Sequence, residues 1–385
     1  NGNRMLLQAP TGLGKTIGVM YPVLINSLQR GQKLIYLTAK NSQHSVAEDA
    51  AERLQNTGAD LRTLSLHSKA KMCLKDEVMC DPSYCEYAKD HYTKMEDHSL
   101  RDKLLKKKTL DEKRLKDMAQ KYEVCPFELQ MESTAFVDVV IGDYNYVFSP
   151  YNVRERLAKN SLGKTTSMPN VVIDEAHNLP GRATDYFSAA LNSEIFEQLL
   201  REIYDWPALI QEAARELREV ADEFFSQMHE NQPLTNNKSV VVLPEDILEP
   251  LKEKAQKLLT VYLESDAVLQ QEDPVLSVFN QVSNFAEVSE YQREGFCTIY
   301  EQMGRHARQV KIICCDAAWW LTQCYKDFAN VIAFSATLKP FEYYRQLMGF
   351  IEEEVHCSEF ASPFPKENRK VLIIPQVSTK FRDRA

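Results

Sequence analysis

Two short motifs limit what this 385-residue chain can fold into more than anything else: Ala9-Pro10-Thr11-Gly12-Leu13-Gly14-Lys15-Thr16 and, 159 residues beyond Lys15, Asp174-Glu175-Ala176-His177. In the first, Gly12 and Gly14 let the backbone turn its N–H groups toward phosphate oxygens at the start of a helix. Lys15 then faces β/γ-phosphate charge, and Thr16 offers a hydroxyl to Mg²⁺. The eight-residue phosphate-loop pattern begins with glycine where this chain has Ala9, so the pattern is met at every position but that one. Met5-Leu6-Leu7 reads as the buried strand that enters the loop, and Ile17 to Leu28 as the helix that leaves it. A bare Gly-rich turn between strand and helix is the bland reading of the same residues.

The second motif follows Val171-Val172-Ile173, an apolar β-branched run that places Asp174 at the carboxyl end of a buried parallel strand, where open α/β sheets bind ligands. There Asp174 can hold Mg²⁺ and Glu175 can orient an attacking water. Phosphoryl transfer asks a protein mainly for positioned charge, which is what these residues supply. Alone, the motif would pass for a solvated acidic turn. A third segment, Phe334-Ser335-Ala336-Thr337-Leu338, follows Val331-Ile332-Ala333 and puts Ser335 and Thr337 at another strand end.

The composition, 44% hydrophobic and 26% charged with no run as long as a membrane span, describes a globular chain with room for two or three cores. The chain opens with Asn1 almost on the first strand, so its true N-terminus is expected upstream and the lack of a leader is uninformative. Nine cysteines, an odd number, argue for a reducing cytosol rather than a disulfide framework. Net charge −9 does not suggest a nucleic-acid partner, but residues 186–308 hold 22 acidic and 10 basic side chains, so the remainder is mildly basic.

Lys15 to Asp174 spans 159 residues and Glu175 to Ser335 spans 160, far more than a compact nucleotide-binding sheet needs, so each interval should carry an inserted module. In the first interval, Lys33 to Thr38 and Val137 to Gly142 read as strands. Between them stand Cys73, Cys80, Cys85 and Cys125, separated by six, four and thirty-nine residues, with Pro126 after the last. Four thiolates can hold an iron–sulfur cluster or structural zinc; zinc ribbons use two close pairs, and this looser spacing fits a 4Fe-4S cluster better. Four ordinary thiols is the other reading. His67, His91 and His98 are near enough to substitute as ligands but read as residues of solvated loops. Cys297, Cys314, Cys315, Cys324 and Cys357 have no metal-like spacing, and Cys314 and Cys315 read as core.

Arg101 to Lys121 carries nine basic and four acidic side chains with Leu104, Leu105, Leu110 and Leu115 at helical spacing. A basic face of that kind could follow a phosphate backbone or simply be solvated while the leucines are buried. The second interval reads as an acidic, mostly helical excursion, with helices over Ser193 to Tyr204 and Ala208 to Phe225. Gln302 to Arg308 imitates the arginine-finger motif of helicases but is one residue short and lies before Ser335, so it is not read as one.

Taken in order, the phosphate loop, the cysteine set, Asp-Glu-Ala-His, the helical insertion and Ser-Ala-Thr-Leu with Pro340 resemble the XPD/DinG family of iron–sulfur superfamily 2 DNA helicases, most nearly its bacterial DinG-like branch. Gly142 to Val147, Ser362-Pro363-Phe364-Pro365 and Ser378-Thr379-Lys380-Phe381-Arg382 add to the resemblance, which covers nearly the whole chain. It implies an α/β fold: a RecA-like motor domain over 1–65, 134–185 and 309–340, an iron–sulfur module over 66–133, a helical Arch-like module over 186–308, and the start of a second RecA-like domain over 341–385. It implies ATP-driven 5′ to 3′ movement on single-stranded DNA, unwinding of forked or structured duplexes in repair or replication, and monomeric action in the bacterial cytosol or nucleoid.

On this resemblance Pro10 to Thr16 bind ATP, Thr16 and Asp174 hold Mg²⁺, and Glu175 activates water. His177, Ser335 and Thr337 couple hydrolysis to movement, and the four cysteines hold the 4Fe-4S cluster. Thr38, Asn145 and Tyr146 are strand contacts by position. The adenine-recognition segment of the family is not seen, and the 385 residues alone are expected to hydrolyse ATP poorly. Two rivals remain at this point: a translocase that does not unwind, and a nucleic-acid-binding or redox-sensing iron–sulfur protein with a vestigial ATPase.

Overall fold

A computed structural model describes residues 4–370 apart from 77, 83, 151–152, 159–167, 231–236, 245, 266–271, 305–306, 352–353 and 369. The family-like run Ser378 to Arg382 lies outside the described residues. Among the described residues twelve strands fall into two sheets. They are β1 (Arg4–Gln8), β2 (Leu34–Thr38), β3 (Thr63–Ser65), β4 (Thr109–Leu110), β5 (Val139–Asp143), β6 (Asn170–Asp174), β7 (Ala189–Asn192), β8 (Lys238–Val241), β9 (Phe296–Met303), β10 (Ala307–Cys314), β11 (Asn330–Ser335) and β12 (Val355–Glu359).

Eight strands form one parallel sheet in the order β12-β1-β11-β6-β2-β5-β3-β4. Its central strands are unbroken apolar runs, as strands covered on both faces must be. Leu34, Ile35, Tyr36 and Leu37 of β2 and Val171, Val172 and Ile173 of β6 are all buried. On one face lie helices α1 (Lys15–Gln29) and α2 (His44–Asn56), which bury Met20, Leu24, Ala47 and Ala51 against Leu34, Tyr36, Val172 and Phe334. The other face carries a larger core that reaches into the cysteine segment through Met72, Leu104, Leu110 and Leu115.

The basic stretch is not one helix. It breaks into helix Leu100–Leu105, strand β4 and helix Glu112–Tyr122, because Leu110 pairs with Leu64 at the sheet edge and Asp111 caps the next helix by accepting from Arg114 N–H. The segment expected to open a second motor domain instead gives the first sheet its edge strand, β12 beside β1.

The acidic excursion is helical but not only helical. Helices Glu194–Glu202, Ala208–Glu230, Glu249–Glu264 and Pro274–Glu290 cover a four-stranded antiparallel sheet, β7-β10-β9-β8. The hairpin β9–β10 alternates inward and outward residues with period two, a pattern the helical signal of the neighbouring segments masked. β10 runs on past residue 308 to Cys314, which is buried, while Cys315 at its end is exposed and is not core. The Arg308 guanidinium donates to Asp222 Oδ1 at 2.5 Å within this module, so that arginine is engaged locally. The module has its own core, including Phe196, Phe225, Leu258, Tyr262, Phe285 and Tyr300. No helix among the described residues is long and apolar enough to cross a membrane.

Candidate nucleotide site at the carboxyl edge of the parallel sheet

Parallel register brings three remote segments to one edge. Gln8 pairs with Ser335, and Phe334 with Asp174, so the chain leaves β1, β6 and β11 side by side. The turn after β1 is stitched to the turn after β11: Ala9 N–H donates to the Ser335 carbonyl at 2.9 Å, and Leu338 N–H donates to Gln8 Oε1 at 3.0 Å.

The loop from Ala9 to Gly14 needs its glycines. Gly12 and Gly14 sit at φ 87° and 67°, in the left-handed region, and Gly14 is the residue from which α1 starts. Thr11, Gly12, Leu13 and Gly14 are exposed and Pro10 is half-buried. The first helical residues, Lys15 and Thr16, therefore stand at a helix N-terminus whose free N–H groups and dipole favour an anion. A β-carbon on Gly12 would come within 2.7 Å of the Phe364 ring, so the Ser362–Pro365 segment passes over the loop.

Asp174 is the buried carboxylate of the site. Its Oδ2 accepts the Tyr36 hydroxyl at 2.9 Å, its Oδ1 accepts the Glu175 N–H at 2.7 Å, and its carbonyl accepts the Tyr144 hydroxyl. Burial pushes its pKa up to about 6, with the neighbouring Glu175 charge adding to the rise and the Tyr36 and Glu175 N–H hydrogen bonds and Lys15 opposing it. Glu175 has a left-handed backbone (φ 48°), a conformation worth roughly 1–3 kcal/mol of strain in a residue with a side chain. That turn swings its carboxylate across the edge. Oε1 lies 3.6 Å from Lys15 Nζ, and Oε2 accepts the Ser335 hydroxyl at 3.0 Å.

Since Ser335 spends its proton on Glu175, the 2.7 Å contact between Ser335 Oγ and His177 Nδ1 assigns the proton to Nδ1 of the imidazole. Thr337 N–H donates to the same serine oxygen at 3.3 Å. Lys15, Thr16, Asp174, Glu175, His177, Ser335 and Thr337 are thus gathered at one edge. Chemically, this set offers a cation and helix N–H groups for phosphate, oxygen donors for a hard cation, and a carboxylate held by a serine–histidine pair.

The other candidates are placed less completely. Asn145 is exposed, but Thr38 is fully buried with its hydroxyl donated to the Lys40 carbonyl. Tyr146 is also buried, its ring against Gly142, so neither offers a surface for a base to stack on. Cys73 ends the short helix Lys69–Met72, and Cys125 precedes helix Pro126–Ser133, which packs against it. Burial raises the Cys125 thiol pKa, and the nearby Cys80 adds a smaller push in the same direction. Among the described residues no three His, Cys, Asp or Glu side chains converge as metal ligands. His67 and His91 are buried rather than solvated: His67 Nδ1 faces Lys71 Nζ at 3.3 Å, and His91 Nδ1 accepts the Cys125 N–H at 3.1 Å. His98 is exposed, as read from the sequence.

Three contributors escaped the sequence reading: Tyr36, Tyr144 and Gln8. The first had a signal, a phenol inside a wholly apolar strand two residues from its carboxyl end, since a buried tyrosine hydroxyl must find a partner.

Residues 36–196 match the DEAD_2 family model. Over 99% of its length the chain is 20% identical to the general transcription and DNA repair factor IIH helicase subunit XPD/RAD3 of Saccharomyces cerevisiae. Over 91% it is 21% identical to the corresponding XPD subunit of Dictyostelium discoideum. It spans 60% and 56% of the lengths of those two relatives. Among solved structures, an XPD helicase superposes with a TM-score of 0.62 at 18% identity, covering 93% of this chain and 59% of that one. A truncated XPD superposes with a TM-score of 0.58 at 16% identity, covering 94% of this chain and 96% of that one. The chain is thus similar to XPD helicase subunits along almost all of its length, matches the DEAD_2 model over residues 36–196, and shares the fold of the solved XPD structures.

Proposed function

We propose that the protein is an ATP-dependent DNA helicase that moves 5′ to 3′ along single-stranded DNA and opens forked or structured duplexes during repair or replication, acting as a monomer in the cytosol. The observation that carries this reading is the meeting of Lys15, Asp174, Glu175 and Ser335, drawn from three remote segments, at one sheet edge. Placement in the bacterial DinG-like branch rests on motif order alone.

In this reading the loop N–H groups and Lys15 take the β/γ-phosphates, and Lys15 exchanges Glu175 for phosphate when nucleotide enters. Thr16 and Asp174 are oxygen donors suited to Mg²⁺, which when bound would neutralise phosphate charge. Released from Lys15, Glu175 orients the attacking water. Ser335 and His177 hold Glu175 from the far side, so a shift in the turn after β11 reaches the carboxylate directly. Asn145 is the strand contact among the three proposed that is exposed; Thr38 and Tyr146 would have to act through the backbone or after rearrangement.

The proposal includes a 4Fe-4S cluster on Cys73, Cys80, Cys85 and Cys125, supported by an all-thiol donor set confined to one module. No step depends on it here. Iron and acid-labile sulfide at four iron per chain after anaerobic purification are expected; stoichiometric zinc without iron would remove the cluster from the proposal. ATP hydrolysis by the full-length protein, with and without single-stranded DNA, tests the main reading. Strong stimulation that disappears in Lys15→Ala supports it, and turnover indifferent to DNA or to Lys15 refutes it.

A further inference from the structure

Tyr36 is fully buried, and the fold gives it an unusual place. It lies on β2, which the sheet sets directly beside β6, and its hydroxyl donates to Asp174 Oδ2 at 2.9 Å. That carboxylate is one of the two side chains read above as Mg²⁺ donors, and its second oxygen is engaged by the Glu175 N–H.

We infer that Tyr36 is a positioning residue that presets the Mg²⁺ affinity of the nucleotide site by fixing the Asp174 carboxylate. This inference rests on the proposed nucleotide site. With Oδ2 held by Tyr36 and Oδ1 by the Glu175 N–H, the carboxylate cannot rotate, and its remaining lone pairs point in set directions. The main chain beneath is held separately, by the Tyr144 hydroxyl on the Asp174 carbonyl. Partners that orient a metal's ligands without touching the metal commonly set its affinity by about 10–100-fold.

The test is binding rather than turnover: fluorescent ADP titrated onto the full-length protein at a series of Mg²⁺ concentrations and in EDTA. Tyr36→Phe keeps the ring and its contact with Phe334 (centroids 6.4 Å apart) and removes only the hydroxyl. The variant is expected to need about 10–100-fold more Mg²⁺ for the same ADP affinity, with EDTA binding and melting temperature close to wild type. Tyr262→Phe, which removes a buried hydroxyl from the acidic module, should leave the Mg²⁺ titration unmoved. An Mg²⁺-dependent wild type with an indifferent Tyr36→Phe variant overturns the assignment of Tyr36 alone. A wild type whose ADP binding ignores Mg²⁺ overturns the underlying reading of the site, and the assignment with it.

Discussion

The molecule contains two buried tyrosine–aspartate pairs that look alike and serve different ends. In the parallel sheet Tyr36 donates to Asp174 at 2.9 Å; in the acidic module Tyr262 donates to Asp273 at 2.5 Å. Asp273 spends its other oxygen locally, accepting from Val275 N–H at 3.0 Å and Leu276 N–H at 3.1 Å, so it is the N-cap of the helix that follows. Asp174 caps nothing. Its neighbours include Lys15 and Tyr36, from segments far from it in sequence, and it stands beside an exposed, glycine-shaped loop. A buried carboxylate consumed by its own element is architecture, whereas Asp174 is held by several elements beside an exposed loop, as the proposed Mg²⁺ role requires.

That contrast can be broken first at the aspartates. Asp174→Ala should reduce ATP hydrolysis by the full-length protein on the order of 10²–10³-fold, while its thermal unfolding stays near wild type, because loss of a carboxylate destabilised by burial offsets the stranded Tyr36 hydroxyl. A large loss of stability instead would make Asp174 architectural. Asp273→Ala should do the reverse. It deletes a helix cap and strands the Tyr262 hydroxyl, at about 2–4 kcal/mol together, and leaves hydrolysis per folded molecule unchanged; chemical denaturation read beside activity checks both halves.

A pH series sharpens the difference further. The folded pKa of Asp174 is raised, to about 6 from 3.8, so its favourable contribution is complete below pH 3.8 and is lost as pH rises through about 6. Asp174→Asn should accordingly gain on wild type between pH 4 and 7, by roughly 3 kcal/mol at most, in paired urea titrations. A gap that stays constant with pH would mean that the carboxylate is not destabilised by its site. The smallest effect is Tyr262→Phe, about 1 kcal/mol of stability, seen as a modest fall in denaturation midpoint with nucleotide binding intact.

How far each region could be read from sequence follows from where its interactions lie. The phosphate loop, Asp174-Glu175 and Ser335-Thr337 were legible because each motif carries its own local geometry: left-handed glycines, a strand end, a helix start. Parallel register then did the assembling, and register follows from buried apolar strands that are themselves visible in the sequence. Tyr36 and Tyr144 were not found, because their partner lies on another strand and nothing within either segment points to it. The antiparallel sheet of the acidic module was missed for a related reason. Its strands are separated by long helices whose stronger period hid the alternation in Phe296–Met303 and Ala307–Cys314. β12 was assigned to a later domain, since it joins the first sheet by pairing with β1, some 350 residues earlier. The cysteines show the opposite limit: their spacing is explicit in sequence, yet among the described residues no three metal-ligating side chains converge.

Strand separation by the full-length protein bears most directly on the central claim, that these three segments drive a DNA motor. Fluorescent duplexes with a 5′ or a 3′ single-stranded tail would be offered with ATP to wild type and to Glu175→Gln, which keeps the side chain's size and removes the charge beside Lys15 and Ser335. The account predicts ATP-dependent opening of the 5′-tailed duplex by wild type alone, with Glu175→Gln still binding nucleotide and DNA. Opening that survives Glu175→Gln, or no ATP-dependent opening by a wild type that binds both ligands, would contradict it.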